Sequence, residues 1–302
     1  MNNESSITAL MSAFGRAYHA EHSKNPVFND TMAKRLMTDD EYKRIGHYIL
    51  GGMDFFAPDK KGAFENDEDA LRYLVNTQIA PTPLARARFC EDSLKTAVRT
   101  GTRQYVILGA GLDSFAFREK ALLEKITVFE VDHPLTQADK VKRIARAGLA
   151  VPENLIFVPC DFTKDSLSEK LTACGFDKKK KTFFSWLGVS YYLSIEEIEK
   201  LIENISSFAT DGSSLLFDYA GCGLFLSEIK RAQNMIAMAK AGGEKMKSGF
   251  DYLSMDSLLA RHGFMIYEHL DSNEIQNRYF AGREKDLSAF EYINYVLAVI
   301  KK

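Results

Sequence analysis

The chain has 302 residues, enough for one large α/β domain with an added segment. Hydrophobic residues make up 46% and charged residues 26%, the balance of an ordinary globular protein, and no stretch approaches the roughly 18 apolar residues of a membrane span. The net charge is −2 and the one dense basic run covers only residues 178–181, so the composition disfavours membrane and nucleic-acid partners and predicts a water-soluble protein.

The first 80 residues contain helical patterns but no convincing strand. The helical patterns cover residues 5 to about 21, 30–37 and 39–50. Residues 1–80 are therefore predicted to form an N-terminal helical lid, and residues 81–302 to form one compact core.

From residue 104 onward, short apolar runs rich in β-branched residues alternate with amphipathic segments, as in a parallel sheet flanked by helices. Five runs predict parallel strands, at 104–108, 126–131, 155–158, 182–187 and 214–217. The clearest helix begins at Ser194, where Ser194 and Glu197 form a capping box, and its apolar residues share one face to Phe208.

Two further strands, at 265–270 and 292–300, are predicted to add a terminal antiparallel pair. A helical insertion at about 222–247 and a helix around 256–262 precede the sixth strand. The pattern predicts an α/β fold with a seven-stranded Rossmann-like sheet and helices on both faces.

A glycine turn, Gly109-Ala110-Gly111, directly follows the first strand. Glycines are favoured there because the backbone must approach a ligand closely. Ser114 stands where a dinucleotide fingerprint has its third glycine, which suits a nucleoside without a pyrophosphate. A tight strand-to-helix turn without a ligand is the alternative.

Acidic residues end the next two strands. Glu130-Val-Asp132 ends the second, at the distance from Gly109 where an acid accepts hydrogen bonds from ribose hydroxyls, and Asp161-Phe162 follows the third, where it can hold an adenine. Asp132 also fits a helix cap before Pro134. Because these strand ends meet at one edge of the sheet, together they predict a nucleoside site.

With these residues the chain resembles the leucine carboxyl methyltransferase family, including bacterial relatives that methylate small-molecule carboxylates. The resemblance covers most of the chain, from about residue 17 to the C-terminus. The matching segments are ARARFCED (85–92), VILGAGLDSFAFR (106–118), FEVDHP (129–134), CDF (160–162) and RHGF (261–264).

The resemblance implies a class I methyltransferase fold and S-adenosylmethionine as cofactor. It implies that Arg86 binds the carboxylate of the cofactor's methionine moiety with its forked guanidinium, and that Arg88 points elsewhere. The implied cofactor contacts are Arg86, Gly109, Ala110, Gly111, Asp132, Asp161 and Phe162. Thr82-Pro83 is predicted to supply the N-cap and first-turn proline of the Arg86 helix.

One position departs from the family: many relatives carry a glutamate after the fourth strand, where this chain has Leu187. A carboxylate contact is therefore missing or replaced. The loss leaves open a catalytically inactive, cofactor-binding regulator as an alternative function.

The reaction implied is methylation of a carboxylate or hydroxyl oxygen on a small molecule. A carboxylate acceptor is ionised at neutral pH and demands no general base, so the protein would mainly align the reactants and exclude water. Candidate acceptor-side residues are Tyr191, Tyr192, Tyr219 and Arg278. No catalytic residue is assigned, and a protein C-terminus as acceptor and the oligomeric state stay open.

The main rival in the same fold class is an NAD(P)-dependent oxidoreductase that would use Gly109, Gly111 and Asp132 for its cofactor. The missing third glycine and the Asp161-Phe162 pair argue against it.

No metal site is predicted. The four cysteines, Cys90, Cys160, Cys174 and Cys222, have no C-x-x-C pair or histidine at metal spacing, which predicts reduced thiols. His19 and His22 share a helix face and are expected to be structural or solvated. The first six residues show no secretory signal pattern, which predicts a cytoplasmic protein.

Overall fold

The computed structural model describes residues 7–302; Ser5 and Ser6, at the start of the first predicted helix, lie outside them. A seven-stranded sheet with the order β3-β2-β1-β4-β5-β7-β6 forms the centre of this part of the chain. The strands are β1 (Gln104–Leu108), β2 (Thr127–Asp132), β3 (Leu155–Pro159), β4 (Thr182–Trp186), β5 (Ser214–Ala220), β6 (Phe264–Leu270) and β7 (Ile293–Ile300). Strands β1 to β5 are parallel, and β7 runs antiparallel to both β5 and β6. The prediction of seven strands with a terminal antiparallel pair is confirmed.

Burial on both faces explains why the central strands are apolar throughout. Along β1, Tyr105 and Ile107 belong to one hydrophobic cluster, while Val106 and Leu108 belong to another. Alternate side chains of a strand point to opposite faces, so each face of the sheet carries its own core.

Helices cover both faces of the sheet. Within residues 7–302 the α-helices are α1 (Ile7–His22), α2 (Thr31–Arg35), α3 (Asp39–Gly51), α4 (Met53–Phe56), α5 (Asp67–Leu74), α6 (Pro81–Arg99), α7 (Phe115–Arg118), α8 (Lys120–Leu123), α9 (Pro134–Arg146), α10 (Leu167–Ala173), α11 (Ile195–Phe208), α12 (Lys230–Ala241), α13 (Tyr252–Arg261) and α14 (Ser272–Ile275). Short 3₁₀ turns cover Pro58–Lys60, Ser190–Tyr192 and Cys222–Leu226, and π-helical turns cover Val75–Ile79 and Gln276–Phe280.

Of the three residues predicted to cap helices, Ser194 does so in the structure, whereas Asp132 and Thr82 do not. Helix α11 has the predicted capping box between Ser194 and Glu197. The cap of α9 is His133, whose ring accepts a hydrogen bond from the backbone of Leu135, so Asp132 is not the cap. The cap prediction for Thr82 is wrong, because α6 already begins at Pro81, after Ala80, and the Thr82 hydroxyl is buried without a hydrogen-bond partner.

The N-terminal helices pack on the core through ion pairs as well as apolar contacts. Arg143 of α9 binds Glu41 of α3 at 2.8 Å, and Arg16 of α1 binds the buried Asp30 at 2.9 Å. Asp30 also lies 3.2 Å from Arg118 of α7. The pairs of Arg143 and Arg118 join the first 80 residues to helices α9 and α7. Their division from the core at residue 80 stays a prediction.

All four cysteines are free, with Cys90 and Cys160 buried and Cys222 exposed. Among the described residues, no helix is both long and apolar enough to cross a bilayer, and no group of three His, Cys, Asp or Glu side chains is placed to hold a metal ion.

His19 should make the stability of the protein depend on pH. Its Nε2 accepts a hydrogen bond from the Val27 backbone at 3.0 Å, and burial lowers its pKa from 6.5 to about 4. Between these values the unfolded state holds more protons than the folded state, so stability is full above pH 6.5 and falls as the pH drops towards 4. Urea unfolding at pH 7.5 and 4.5 should show a loss of about 2–3 kcal/mol that His19→Gln does not show. An equal loss in both proteins would contradict the assignment.

Candidate active site

A cavity of about 1170 Å³ opens at the carboxyl ends of β1 to β4. The turns that follow these strands form its floor, and α1, α3, α6 and α12 contribute to its walls. Its volume exceeds the roughly 300–1,000 Å³ usual for a single small-molecule site. The cavity therefore has room for two ligands.

The glycine turn after β1 forms one wall. Gly109 and Gly111 have positive φ angles of 69° and 48°. A Cβ at Gly109 would lie 3.1 Å from the Val189 side chain, and a Cβ at Gly111 would lie 3.4 Å from Ala9 of α1. Both glycines are thus required by backbone conformation, and Ala110 between them also lines the cavity.

Asp132, at the end of β2, lines the cavity beside this turn. Its Oδ2 accepts a hydrogen bond from the Gly111 backbone at 2.6 Å, and its Oδ1 accepts one from the His133 backbone at 2.7 Å. Glu130 has a different role, because it pairs with the buried Lys140 of α9 at 2.5 Å. Of the two acids that end β2, only Asp132 belongs to the cavity wall.

Asp161 and Phe162, after β3, lie at the edge of the cavity. The Asp161 carboxylate accepts hydrogen bonds from the backbone and hydroxyl of Thr163 and from Lys164, and these bonds hold its pKa well below the usual range. Phe162 is 42% exposed, an unusual state for a large apolar side chain. The pair offers a carboxylate and an open aromatic face.

Arg86 of α6 reaches the cavity from beneath the turn that follows β4. Its Nη1 lies 3.0 Å from Oδ2 of Asp218 and 3.0 Å from the hydroxyl of Tyr191, and its Nη2 lies 3.4 Å from the hydroxyl of Ser12. Asp218 is 0% exposed, and its Oδ1 accepts a hydrogen bond from the Gly188 backbone at 2.6 Å. One buried carboxylate thus orients both the arginine and the turn after β4.

Sequence reasoning missed Asp218. The available signal was a lone acid within the apolar run SLLFDYA, which forms β5. A buried carboxylate needs a charged or hydrogen-bonded partner, so this acid pointed to an arginine elsewhere in the chain. The turn after β4 lacks the family glutamate at Leu187, but its Gly188 backbone is hydrogen-bonded to the carboxylate of Asp218.

Gly188→Ala should disrupt the position of Arg86. Gly188 has a φ of 74°, and a Cβ there would lie 2.5 Å from both terminal nitrogens of the guanidinium. The family resemblance implies S-adenosylmethionine as cofactor, so we expect at least a tenfold loss of affinity for its demethylated form, S-adenosylhomocysteine, since displacing a charged hydrogen bond costs about 1.5–3 kcal/mol. Titration calorimetry measures it, with Gly243→Ala as control because Gly243 also has a positive φ but lies in open space. Equal affinities in the two variants would contradict this role.

Ser114 replaces the third glycine for a structural reason that the sequence did not reveal. Its hydroxyl donates to Asp30 at 2.6 Å, and the Arg16 guanidinium donates to the carbonyl of Leu112 at 2.8 Å. Both contacts join the glycine turn to the N-terminal helices. A glycine at position 114 could not make the first of them.

The four candidate acceptor-side residues divide into two pairs. Tyr191 and Tyr192 line the cavity, but Tyr219 and Arg278 do not. Tyr219 lies on the face of β5 opposite to Asp218, where its hydroxyl is 2.9 Å from His269, and Arg278 pairs with Glu268 at 2.6 Å with 43% of its side chain exposed. The structure therefore places these two residues away from the candidate acceptor side.

The cavity fits a nucleoside cofactor with an amino-acid end. The glycine turn permits close approach, Asp132 provides an acceptor for ribose hydroxyls, and Arg86 provides a cation for a carboxylate. The six cavity positions predicted from the strand ends, together with Arg86, line one continuous space.

Comparison with known proteins identifies the cofactor. A sequence model of leucine carboxyl methyltransferases matches residues 9–206. The chain belongs to the leucine carboxyl methyltransferase family. It is 45% identical over 302 residues, covering 99% of each chain, to a Bacillus subtilis (strain 168) protein named as the S-adenosyl-L-methionine-dependent methyltransferase YktD. A Mycolicibacterium paratuberculosis (strain ATCC BAA-968 / K-10) protein, named as an S-adenosyl-L-methionine-dependent methyltransferase, is 32% identical, with 81% of this chain and 74% of its own covered.

Solved structures share the fold. A Thermobifida fusca protein named as a methyltransferase superposes with a TM-score of 0.60 at 11% identity, covering 99% of this chain and 96% of that chain. The class I methyltransferase fold and the family resemblance are thereby confirmed. This leucine carboxyl methyltransferase family member is an S-adenosylmethionine-dependent methyltransferase, and we set aside the NAD(P)-dependent oxidoreductase alternative.

Proposed function

We propose that this methyltransferase methylates an oxygen atom of a small molecule, with a carboxylate as the preferred acceptor. The observation that carries the proposal is the state of the acids around the cavity. Each carboxylate that lines its described wall accepts a hydrogen bond from another protein group; they are Asp30, Glu41, Glu91, Asp113, Asp132, Asp139, Asp161 and Glu244. These bonds engage the carboxylates structurally, and a carboxylate acceptor, which is ionised at neutral pH, would need no general base from them.

The residues proposed to hold the cofactor are those that the sequence indicated. Arg86 would bind the methionine carboxylate, Asp132 the ribose hydroxyls, and Asp161 with Phe162 the adenine, while the backbone from Gly109 through Ala110 to Gly111 would pack against the nucleoside. When bound, S-adenosylmethionine supplies an activated methyl group on a sulfonium centre.

Tyr191 and Tyr192 have different proposed roles at the acceptor side. The Tyr191 hydroxyl contacts Arg86 at 3.0 Å and Asp218 at 3.4 Å, so it supports the arginine. The Tyr192 hydroxyl has no hydrogen-bond partner within residues 7–302, and burial raises its pKa, which keeps it protonated. We assign Tyr192 to donate a hydrogen bond to the acceptor oxygen.

The N-terminal helices are proposed to act as a lid over the cofactor. Helix α1 lies against the glycine turn, where Arg16 binds the Leu112 carbonyl, and the Thr8 hydroxyl donates to Glu244 just after α12. These contacts join the two elements that cover the cavity. A closed lid excludes water, which matters because alignment and dehydration are the protein's main contributions to methyl transfer.

The test is transfer of a tritiated methyl group from S-adenosylmethionine to acceptors in a cell extract. A methyl ester releases volatile methanol in base, whereas methyl ethers and methylamines do not. We expect base-labile label that depends on the protein. Base-stable label alone would contradict a carboxylate acceptor, and tight binding of S-adenosylhomocysteine without labelling of any acceptor would favour the regulator.

A further inference from the structure

One region of the cavity wall that is not assigned to the cofactor is apolar. It comes from four separate segments: helix α1, the π-helical turn Val75–Ile79, the insertion around α12, and the loop before β7. We define the acceptor chamber by six of these side chains: Met11, Ile79, Met235, Met238, Met246 and Phe290.

Four of the six chamber residues are methionines. Met246 and Phe290 are buried, whereas Met235 and Met238 are half-buried and pack against the same hydrophobic cluster. Methionine side chains are flexible and polarisable, so a wall built from them adapts to apolar ligands of different shapes. The wall is therefore an apolar binding surface that can accommodate ligands of different shapes.

The arginines of the cavity that are not assigned to the cofactor are ion-paired or exposed. Arg16, Arg118 and Arg143 each form an ion pair with a carboxylate. Arg44, which makes no ion pair within residues 7–302, is exposed on α3. An exposed charge in water contributes little to binding, so the chamber should bind a ligand with a charged body only weakly.

One hydroxyl group on the cavity wall is free to bind a ligand. Tyr192 is half-buried, and its hydroxyl has no hydrogen-bond partner within the described chain. A tyrosine hydroxyl is a hydrogen-bond donor, so it fits an oxygen-bearing group of a ligand.

We propose that the methyl acceptor is an amphiphile: an apolar body that fills the acceptor chamber, with one terminal oxygen group that contacts Tyr192. The inference rests on the proposed function, and it specifies the acceptor by chemistry. A monocarboxylate with a long alkyl chain has this chemistry, whereas a short carboxylate or one charged at both ends lacks it.

The test uses wild-type protein saturated with S-adenosylhomocysteine, whose binding is measured first. Butanoate, decanoate and decanedioate are then titrated below their aggregation concentrations. We expect decanoate to bind at least tenfold more tightly than either butanoate or decanedioate, because burial of the added methylene groups is favourable and burial of a second charge is not. No binding of decanoate, or similar affinities for all three, would overturn the proposal.

A matched pair of variants locates the binding. Met238→Glu should weaken decanoate binding at least tenfold and leave the affinity for S-adenosylhomocysteine within about twofold. Met265→Glu, on the exposed surface of β6 and outside the cavity, should change neither. If Met238→Glu does not fold, the wild-type ligand series still decides the proposal.

The two proposals fail separately. Decanoate binding with only base-stable methyl label would contradict the carboxylate acceptor and keep the apolar chamber. Base-labile label found only on short or highly polar acceptors would keep the proposed function and overturn the chamber.

Discussion

Arg86→Ala should destabilise the protein as well as weaken cofactor binding. The substitution leaves Asp218 as a fully buried carboxylate without its ion-pair partner, which lies 3.0 Å away in the intact protein. Removing one member of a buried pair costs about 3–5 kcal/mol. Urea unfolding should show a loss of that size, and titration with S-adenosylhomocysteine should show an affinity at least tenfold lower.

The double variant Arg86→Met with Asp218→Asn separates the two effects. It removes both charges and keeps an oxygen that can accept the hydrogen bond from Gly188, so most of the lost stability should return. Affinity for S-adenosylhomocysteine should stay low because the cation is gone. Affinity for 5′-methylthioadenosine, which lacks the amino-acid end, should match wild type. Normal S-adenosylhomocysteine binding by the double variant would show that Arg86 does not hold the methionine carboxylate.

Asp132→Ala should weaken the binding of both S-adenosylhomocysteine and 5′-methylthioadenosine. Both ligands carry the ribose, and a hydrogen bond to a charged acceptor contributes about 1.5–3 kcal/mol, so we expect losses of roughly 10- to 100-fold. Asp132 binds backbone groups of Gly111 and His133 and has no ion pair among residues 7–302, so the free energy of unfolding should change much less than in Arg86→Ala.

The control for this variant is Asp211→Ala. Asp211 accepts a backbone hydrogen bond from Lys302 and lies outside the cavity. Its loss should leave both affinities unchanged. If Asp132→Ala also binds both ligands as wild type does, the ribose contact is assigned to the wrong residue.

The sequence was sufficient for features that depend on neighbouring residues. Strand β1 begins and ends as predicted, because an apolar run followed by Gly109-Ala110-Gly111 is a local signal. The carboxyl ends of parallel strands meet at one edge of the sheet, so the sequence alone predicted that Asp132 and Asp161 lie at the same site.

Features that depend on distant contacts were not accessible from the sequence. Strand β5 was predicted to end at residue 217, but it continues to Ala220 and includes Asp218. The partner that allows this acid to be buried, Arg86, is 132 positions away in the sequence. Because the predicted strand ended before Tyr219, the sequence did not show on which face of β5 Tyr219 lies. Ser114 was interpreted as a lost glycine because its partner Asp30 is 84 residues distant.

A crystal structure with S-adenosylhomocysteine bound tests the site assignment most directly. We expect the ribose hydroxyls within hydrogen-bond distance of Asp132, the methionine carboxylate on the guanidinium of Arg86, and the adenine beside Asp161 and Phe162. Arg86 should keep its contact with Asp218 in that complex. A ligand whose carboxylate binds a different cation, or whose ribose lies away from Asp132, would contradict the account.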